Sequence, residues 1–180
     1  TSDGAFMTTR SGSTRYDFTF RESFLKPGIG DENWTTRNNY PACGVIQTSS
    51  TEMSIFIQRH YAQPSAYLER MILRLDGFSS LNAGYDEGDM ITKTLGFTGN
   101  KLELNYSTSA AGRIKVEMLD ASGTPIEGYA LEDCDGLIGD EISGHVFWNG
   151  STDLSKISGR PVKVRFVMND ADIYSLRFKS

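Results

Sequence analysis

A chain of 180 residues, of which 38% are hydrophobic and 23% charged, is long enough to bury a core, and this excludes the disordered and fibrous classes. The formal net charge is -5, and like charges do not gather into blocks, which argues against a nucleic-acid partner. No apolar run approaches the length that crosses a bilayer, so we expect no membrane span.

Residues 1–15 are small and polar, and we expect them to form a loose N-terminal segment or an edge strand. The first ten of them lack the basic start and the hydrophobic stretch of a signal peptide. We expect the chain to be an excised mature segment of a secreted or periplasmic protein.

Alternation of apolar and polar residues with a period of two dominates the rest of the chain and predicts strands with one solvated face. In chain order, the alternating stretches are residues 16–21, 71–75, 102–105, 114–118, 162–166 and 174–178. Turn-forming residues lie between them at 26–28, 76–77, 98–100, 120–123, 149–150 and 158–161. No long window shows a helical stripe, so we expect at most one or two short helical turns, one of them at 152–157.

Short strands at this regular spacing, with turns between them, are typical of sandwiches and barrels. We therefore predict an all-β fold: an antiparallel two-sheet β-sandwich, jelly-roll-like, with little or no helix. Residues 16–180 are expected to form this single domain. Within it, residues 16–75 are rich in aromatic residues, Asn and Arg, whereas residues 76–180 are regular strand-turn-strand sequence.

Three stretches of the sequence resemble a known family. They are residues 33–40 (NWTTRNNY), residues 51–64 (with TEMSIF and RHYAQP) and residues 159–178 (with GRPVKVRF and DADIYSLRF). Together they resemble the C-terminal region of bacterial glycosyl hydrolase-like proteins related to the invertase-type glycosidases. The resemblance extends over most of the chain from about Phe18 onward.

In that family a five-bladed β-propeller carries the catalytic carboxylates, and a β-sandwich packs against it at the C-terminus. The resemblance implies that this chain is the sandwich module, and it leaves residues 16–75 open to interpretation as a last propeller blade. Because 180 residues cannot hold five blades and a sandwich, a catalytic propeller domain of the same parent protein is one expected partner. The other is a polysaccharide or oligosaccharide.

The segment from Trp34 to Tyr40 contains the side chains that sugar recognition needs. Flat aromatic faces bind the apolar side of a pyranose ring, and planar polar groups form paired hydrogen bonds with its hydroxyls. The candidate sugar-binding residues are Trp34, Arg37, Asn38, Asn39, Tyr40, His60 and Tyr61. In the alternative interpretation, Trp34 and Tyr40 are partly buried core residues and Arg37 forms a surface ion pair.

A second aromatic platform is predicted at Trp148, beside the turn at 149–150. Residues 145–148 also have the pattern of a buried strand, which is the alternative for this tryptophan. Neither His60 nor His145 has the short-spaced partners that a zinc site requires.

Glu52 is the candidate catalytic acid. In the resemblance it lies beside His60 and Tyr61, where a last blade would face a shared cleft. Glycoside hydrolysis uses two carboxylates across one bond, and the sequence offers Glu52 no evident partner. The alternative is a salt bridge or a charge at a strand end, so we expect no catalysis by this chain on its own.

An acidic cluster after residue 131 suggests a calcium site, because hard cations bind several oxygen atoms from a short loop. The candidate ligands are Asp133, Asp135, Asp140 and Glu141. Their spacing matches only part of an EF-hand loop, and an ordinary solvated acidic loop is the alternative. No other cofactor is expected.

Cys43 and Cys134 lie far apart without CxxC spacing, which excludes a zinc knuckle and a redox pair. They form either one disulfide or two separate buried thiols. The sequence also lacks a nucleophile elbow, a phosphate loop and a dinucleotide fingerprint, so serine or cysteine nucleophile chemistry has no support.

Overall fold

The computed structural model describes residues 3–5 and 7–180, and their regular structure is almost entirely β. The chain divides into two compact units, Thr1–Leu75 and Asp76–Ser180. All strand pairs among the described residues are antiparallel. The predicted all-β, antiparallel, sandwich-like fold is therefore confirmed. Nowhere in residues 3–5 and 7–180 is a helix long and apolar enough to cross a membrane.

The first unit contains a small sheet with one central strand. The elements of this unit are β1 (Thr8–Thr9), β2 (Tyr16–Asp17), a 3-10 helix (Asp31–Asn33), β3 (Tyr40–Pro41), β4 (Ile46–Gln47), β5 (Glu52–Arg59) and β6 (Tyr67–Arg74). β5 pairs with β6 along its whole length, with β4 near its start and with β3 near its end. β1 and β2 form a separate two-stranded ribbon.

Alternation along β5 gives this sheet two different faces. Met53, Ile55 and Ile57 are buried and form one face, since successive side chains of a strand point to opposite sides. Ser54 and Phe56 point to the other side, which we call the outer face. The core of the first unit therefore lies behind one side of the sheet only.

The second unit is dominated by two very long strands. Its strands are β7 (Leu81–Ala83), β8 (Gly88–Ile91), β9 (Leu95–Gly96), β10 (Lys101–Asp120), β11 (Asp140–His145) and β12 (Pro161–Lys179). β10 and β12 pair with each other from end to end. β11 pairs with β10, while β9, β8 and β7 pair in turn with successive parts of β12.

The core of the second unit forms on one face of the β10–β12 pair. The residues of these two strands with no exposed surface are Leu102, Leu104, Ile114, Val116, Met118, Val162, Val164 and Phe166. Each buried side chain of this size contributes about 1.5–3 kcal/mol to stability. They include the apolar positions of three predicted strands, at 102–105, 114–118 and 162–166, so those predictions are confirmed.

The pairing of β10 with β12 is interrupted by two shifts of register, the second between Thr108 and Arg113. Gly112 lies in this second shift, and its backbone comes very close to β12. A Cβ atom on Gly112 would clash with the carbonyl oxygen of Asp170. The close approach of the two strands at this point therefore depends on a residue without a side chain.

Some predicted elements differ from the structure. The strand predicted at 16–21 is limited to β2, because β1 offers it only two partner residues, and Phe18 beyond it is exposed. The last two predicted strands, at 162–166 and 174–178, are parts of the single strand β12. A hydrogen-bonded turn follows Asp153, whose Oδ1 accepts the N–H of Ser155 at 2.9 Å, close to the predicted helical turn.

Both cysteines are free thiols, which decides between the two alternatives left by the sequence. Cys134 is buried and its Sγ accepts the N–H of Val116 at 3.3 Å. Cys43 follows β3 and is exposed, so the expected burial is confirmed for Cys134 and wrong for Cys43.

Candidate functional site

The loop that leads into β3 is fastened to the turn between β5 and β6. Asn38 Oδ1 accepts the backbone N–H of His60 at 2.8 Å, and Asn38 Nδ2 donates to the carbonyl oxygen of Asn33 at 2.7 Å. Gln63 Nε2 donates to the carbonyl oxygen of Glu32 at 2.8 Å. These bonds place the sequence segments around Trp34 and Tyr61 at the same end of the sheet.

Backbone strain is concentrated in these two segments. Arg37, Asn39, His60 and Ala62 all have positive φ angles, between 50° and 62°. A non-glycine residue in this region costs of order 1–3 kcal/mol, and such residues persist where the surroundings hold them, often at functional sites. The strain supports a functional role for this end of the sheet.

The imidazole ring of His60 connects the two segments. Its Nδ1 lies 3.0 Å from Ser65 Oγ and its Nε2 lies 3.2 Å from Asn33 Oδ1. Its ring also packs edge-on against Tyr67, with ring centroids 5.2 Å apart. Because both ring nitrogens have partners within the unit, the predicted ligand-binding role of His60 is replaced by a positioning role.

Asn38 and Asn39 are also structural, since each is only 2% exposed. Asn39 Oδ1 accepts a hydrogen bond from Arg59, whose Nε in turn donates to Glu69 at 2.6 Å. Buried amides need such partners because an unpaired one is costly. The prediction that these two amides bind a ligand directly is wrong.

Three of the predicted residues are at least partly exposed at this end of the sheet, and we call them the aromatic–arginine cluster: Trp34, Arg37 and Tyr61. Trp34 is 64% exposed, yet its ring is oriented by a hydrogen bond from Nε1 to the carbonyl oxygen of Gly28 at 3.0 Å. Arg37 Nη1 donates to Tyr61 Oη at 3.2 Å, and its guanidinium carbon lies 5.4 Å from the centre of that ring. The cluster thus presents an aromatic face and a guanidinium that are both held in place.

Tyr40 lies on the outer face of the sheet, next to this cluster in sequence. Tyr40 is 62% exposed. It lies opposite Gln58 of β5, and Gln58 lies opposite Leu68 of β6. Directly opposite residues of antiparallel strands share a face, so these three side chains form one row. Tyr40 is therefore confirmed as exposed, although it belongs to a sheet face and not to the loop.

The outer face also contains an arginine that the sequence interpretation missed. Arg70 Nε donates to Ser54 Oγ at 2.9 Å and its Nη2 donates to Thr48 Oγ1 at 3.3 Å. Ser54 has no exposed surface, whereas the exposed Leu68 and Ile72 flank Arg70 on the same strand. The apolar-polar mixture Leu-Glu-Arg-Met-Ile in β6 hides this arrangement, because it does not alternate regularly.

Glu52 lies far from the aromatic–arginine cluster. It is the first residue of β5, whereas His60 follows the last residue of that strand. At about 3.3 Å per residue of extended chain, the two are roughly 25 Å apart. The expectation that Glu52 lies beside His60 and Tyr61 is wrong, because residues 52–59 form one continuous extended strand.

Trp148 belongs to the core of the second unit. It is 2% exposed, donates from Nε1 to the carbonyl oxygen of Val116 at 2.9 Å, and packs edge-on against Tyr129. A ring without accessible faces cannot stack on a sugar. The prediction of a second platform here is wrong, and the buried alternative applies.

Two of the four acidic residues proposed as calcium ligands form hydrogen bonds with the turn at residues 149–150. Asp133 Oδ1 accepts Asn149 Nδ2 at 2.9 Å, and Asp135 Oδ2 accepts the N–H of Gly150 at 2.9 Å. Asp140 and Glu141 instead lie on β11. Across residues 3–5 and 7–180, no three His, Cys, Asp or Glu side chains are placed to hold a metal ion. The geometry therefore gives the calcium prediction no support.

Two buried carboxylates of the second unit, Glu103 and Glu117, form ion pairs, and Glu117 accepts Arg165 Nη1 at 3.1 Å. Glu103 receives Arg177 Nε at 2.6 Å, His145 Nε2 at 3.1 Å and Lys179 Nζ at 3.7 Å. Burial raises the pKa of Glu103, but the hydrogen bonds from Arg177 and His145 outweigh it and hold the pKa below its ordinary value. These carboxylates have cationic partners and stabilise the sheet.

No protein-family model, curated protein or solved structure matches this chain. Among the described residues, the exposed and oriented side chains of the first unit are the best candidates for a binding site.

Proposed function

We propose that this chain is a non-catalytic carbohydrate-binding accessory module of a secreted glycoside hydrolase-like protein. The observation that carries the proposal is Trp34, a large aromatic residue that is exposed and yet held in one orientation. Aromatic side chains of this size are highly buried on average, so an exposed and fixed one favours a ligand-binding role. Because the ring of Trp34 is already held in one orientation, little conformational entropy is lost when a ligand binds. Even a ligand with little apolar surface, such as a sugar ring, can then bind measurably.

Arg37 and Tyr61 supply the second requirement of sugar recognition. The guanidinium is planar and stacks over an aromatic ring, so it presents parallel N–H donors at a fixed angle. A pyranose ring that stacks on Trp34 would place its hydroxyls within the polar rim of the same cluster. The division of roles is that Trp34 provides contact area while Arg37 provides orientation.

Titration of the chain against a panel of polysaccharides by isothermal calorimetry tests this function. We expect measurable binding of at least one glycan, and Trp34→Ala should weaken it at least tenfold, about 1.4 kcal/mol. Tyr16→Ala, which removes an exposed tyrosine from β2, is the matched control and should leave affinity unchanged. Absence of binding across the panel would contradict the proposal.

The outer face supports a second candidate function, in which the chain is a structural support for a catalytic propeller domain. Ile46, Leu68 and Ile72 are all more than half exposed on this face, and exposed aliphatic side chains grouped on one face can mark a docking surface. The isolated chain would then self-associate in light-scattering measurements, and Leu68→Ser would reduce this. Ile138→Ser in the second unit is the control, because Ile138 is equally exposed.

A third candidate, a fragment that contributes to a glycosidase active site, depends on Glu52. Its position at the far end of β5 leaves the aromatic–arginine cluster without this carboxylate. Unchanged hydrolysis of glycans by the parent protein after Glu52→Gln would remove this candidate.

A further inference from the structure

Two arginines of the first unit are held by hydroxyl groups and not by carboxylates. Among the residues that the structure describes, Arg15 and Arg59 pair with Asp17 and Glu69, and the arginines Arg165 and Arg177 of the second unit also pair with acidic side chains. The partners of Arg37 and Arg70 are instead the hydroxyls of Tyr61, Ser54 and Thr48. Their positive charges therefore remain uncompensated within the described part of the unit.

Two hydrogen bonds hold the side chain of Arg70 in one orientation. Ser54 Oγ and Thr48 Oγ1 lie 2.9 Å from each other, and both accept hydrogen bonds from the guanidinium. Arginine has five N–H donors, so this arrangement leaves donors for a ligand while the rotamer is already set. A planar guanidinium held this way matches the two oxygens of a carboxylate.

The surroundings of Arg70 strengthen any charge pair formed there. Leu68 and Ile72 flank it along β6, and Phe56 stands opposite it on β5. Apolar neighbours exclude water as a ligand binds, and a charge interaction is stronger where the local dielectric constant is lower. Arg70 itself is exposed, so an anionic group can reach it, and a ligand that covers these neighbours would strengthen the charge pair.

Arg70 also lies within reach of the aromatic platforms. Tyr40 on β3 and Arg70 on β6 are separated by one strand, β5. Tyr40 lies level with Gln58 and Leu68, and Leu68 is two residues before Arg70 along β6. With strands about 4.8 Å apart and about 3.4 Å per residue, the two Cα atoms are roughly 12 Å apart. A short oligosaccharide can span this distance.

We propose that the glycan bound by this chain is acidic, and that Arg70 recognises the carboxylate of a uronic-acid residue whose neighbouring ring contacts Tyr40. The proposal rests on the carbohydrate-binding function and specifies its ligand class. Arg37, at the adjoining cluster, provides a second cation for the next acidic residue of the chain. The basis for choosing this occupant over an uncharged one is charge complementarity with Arg37 and Arg70, which have hydroxyl partners but no acidic partner among the described residues.

The test compares galacturonic-acid oligomers with the same oligomers after complete methyl esterification, which removes the charge and keeps the rings. We expect the acidic oligomers to bind at least tenfold more tightly, and this preference to fall as ionic strength rises. Arg70→Gln should abolish the preference, and Arg70→Lys should restore only part of it, since lysine lacks the planar fork. Arg113→Gln, which removes an exposed arginine of β10, is the matched control and should keep it.

The outcomes separate this proposal from the general one. Equal binding of both oligomers, or a preference that survives in Arg70→Gln, overturns the acidic-ligand proposal and leaves the carbohydrate-binding function intact. Binding of neither oligomer and of no neutral polysaccharide overturns both. If the chain is a dimer that Arg70→Gln dissociates, the outer face binds a second copy of the chain, which also overturns the proposal. Unchanged thermal unfolding of both Arg70 variants shows that they are folded.

Discussion

The two tryptophans show how differently one residue type is used in this protein. Trp34 and Trp148 both adjoin residues that form turns, and the sequence predicts an exposed platform at each. Only the structure separates them, because the burial of Trp148 depends on Tyr129 and Val116, which lie far from it along the chain. Local sequence does not contain that information.

This difference has a measurable effect on stability. Trp148→Ala removes a buried ring and the donor to Val116, so we expect it to lower the free energy of unfolding by about 3–5 kcal/mol. Trp34→Ala removes an exposed ring and should change it by less than about 0.5 kcal/mol. Urea unfolding of the two variants beside the parent chain gives both values, and similar losses would contradict the assignment of the two residues.

The amides at Asn38 and Asn39 illustrate a limit of sequence interpretation at the same scale. Planar polar residues near a tryptophan fit a sugar site and an internal hydrogen-bond network equally well. The choice depends on Arg59 and His60, which reach these amides only after the β5–β6 turn forms. Arg70 was missed for the related reason that its hydroxyl partners come from two other segments.

At the scale of elements, alternation predicts most of the strands because each buries one face and solvates the other. The apolar positions of β10 and β12 follow this pattern and were found, as was part of β6. The pattern does not reveal where a strand stops, and so one continuous β12 was predicted as two strands. The length of a strand depends on its pairing with a neighbouring strand, and β2 has only two residues because its partner β1 has only two.

The close approach of β10 and β12 at Gly112 provides a prediction about a glycine. Gly112→Ala places a methyl group against the carbonyl oxygen of Asp170, so the strands must separate, at an expected cost of about 1–3 kcal/mol. Gly96→Ala in β9 is the matched control, because a Cβ atom there meets nothing within 4 Å. Thermal unfolding compares the two variants, and equal stabilities would show that the close approach is relieved without cost.

The carboxylate that joins β10, β11 and β12 provides a prediction about pH. Because the pKa of Glu103 is lower in the folded state than its ordinary value of 4.5, its charge stabilises the protein above that value. This contribution is lost as the pH falls from about 4.5 through the folded-state pKa. Glu103→Gln should therefore flatten the acid side of the curve of melting temperature against pH, and an unchanged slope would contradict this role.

For the whole molecule, the distribution of the core differs between the two units. The large buried cluster, from Ala83 to Ile173, lies entirely within the second unit, whereas the first unit buries a smaller set around Met53, Ile55 and Ile57. The change of composition after residue 75 falls at the boundary between the units, although the sequence alone does not show that each unit is compact.

Residues 76–180 expressed alone are therefore expected to fold. We expect a cooperative thermal transition by circular dichroism, since the fragment contains the whole of that core. Residues 1–75 alone should unfold with little cooperativity, because small units bury too little surface. A fragment 76–180 without a cooperative transition would contradict this division.

The two thiols differ in reactivity for a structural reason, and this makes the native protein easy to label. A maleimide dye has access to Cys43 but not to Cys134, whose sulfur is enclosed and accepts a backbone hydrogen bond. Labelling of the folded chain should stop at one dye per molecule, and that dye would sit three residues after Tyr40. Its fluorescence would then report directly on anything that settles beside the tyrosine, without any engineered attachment point.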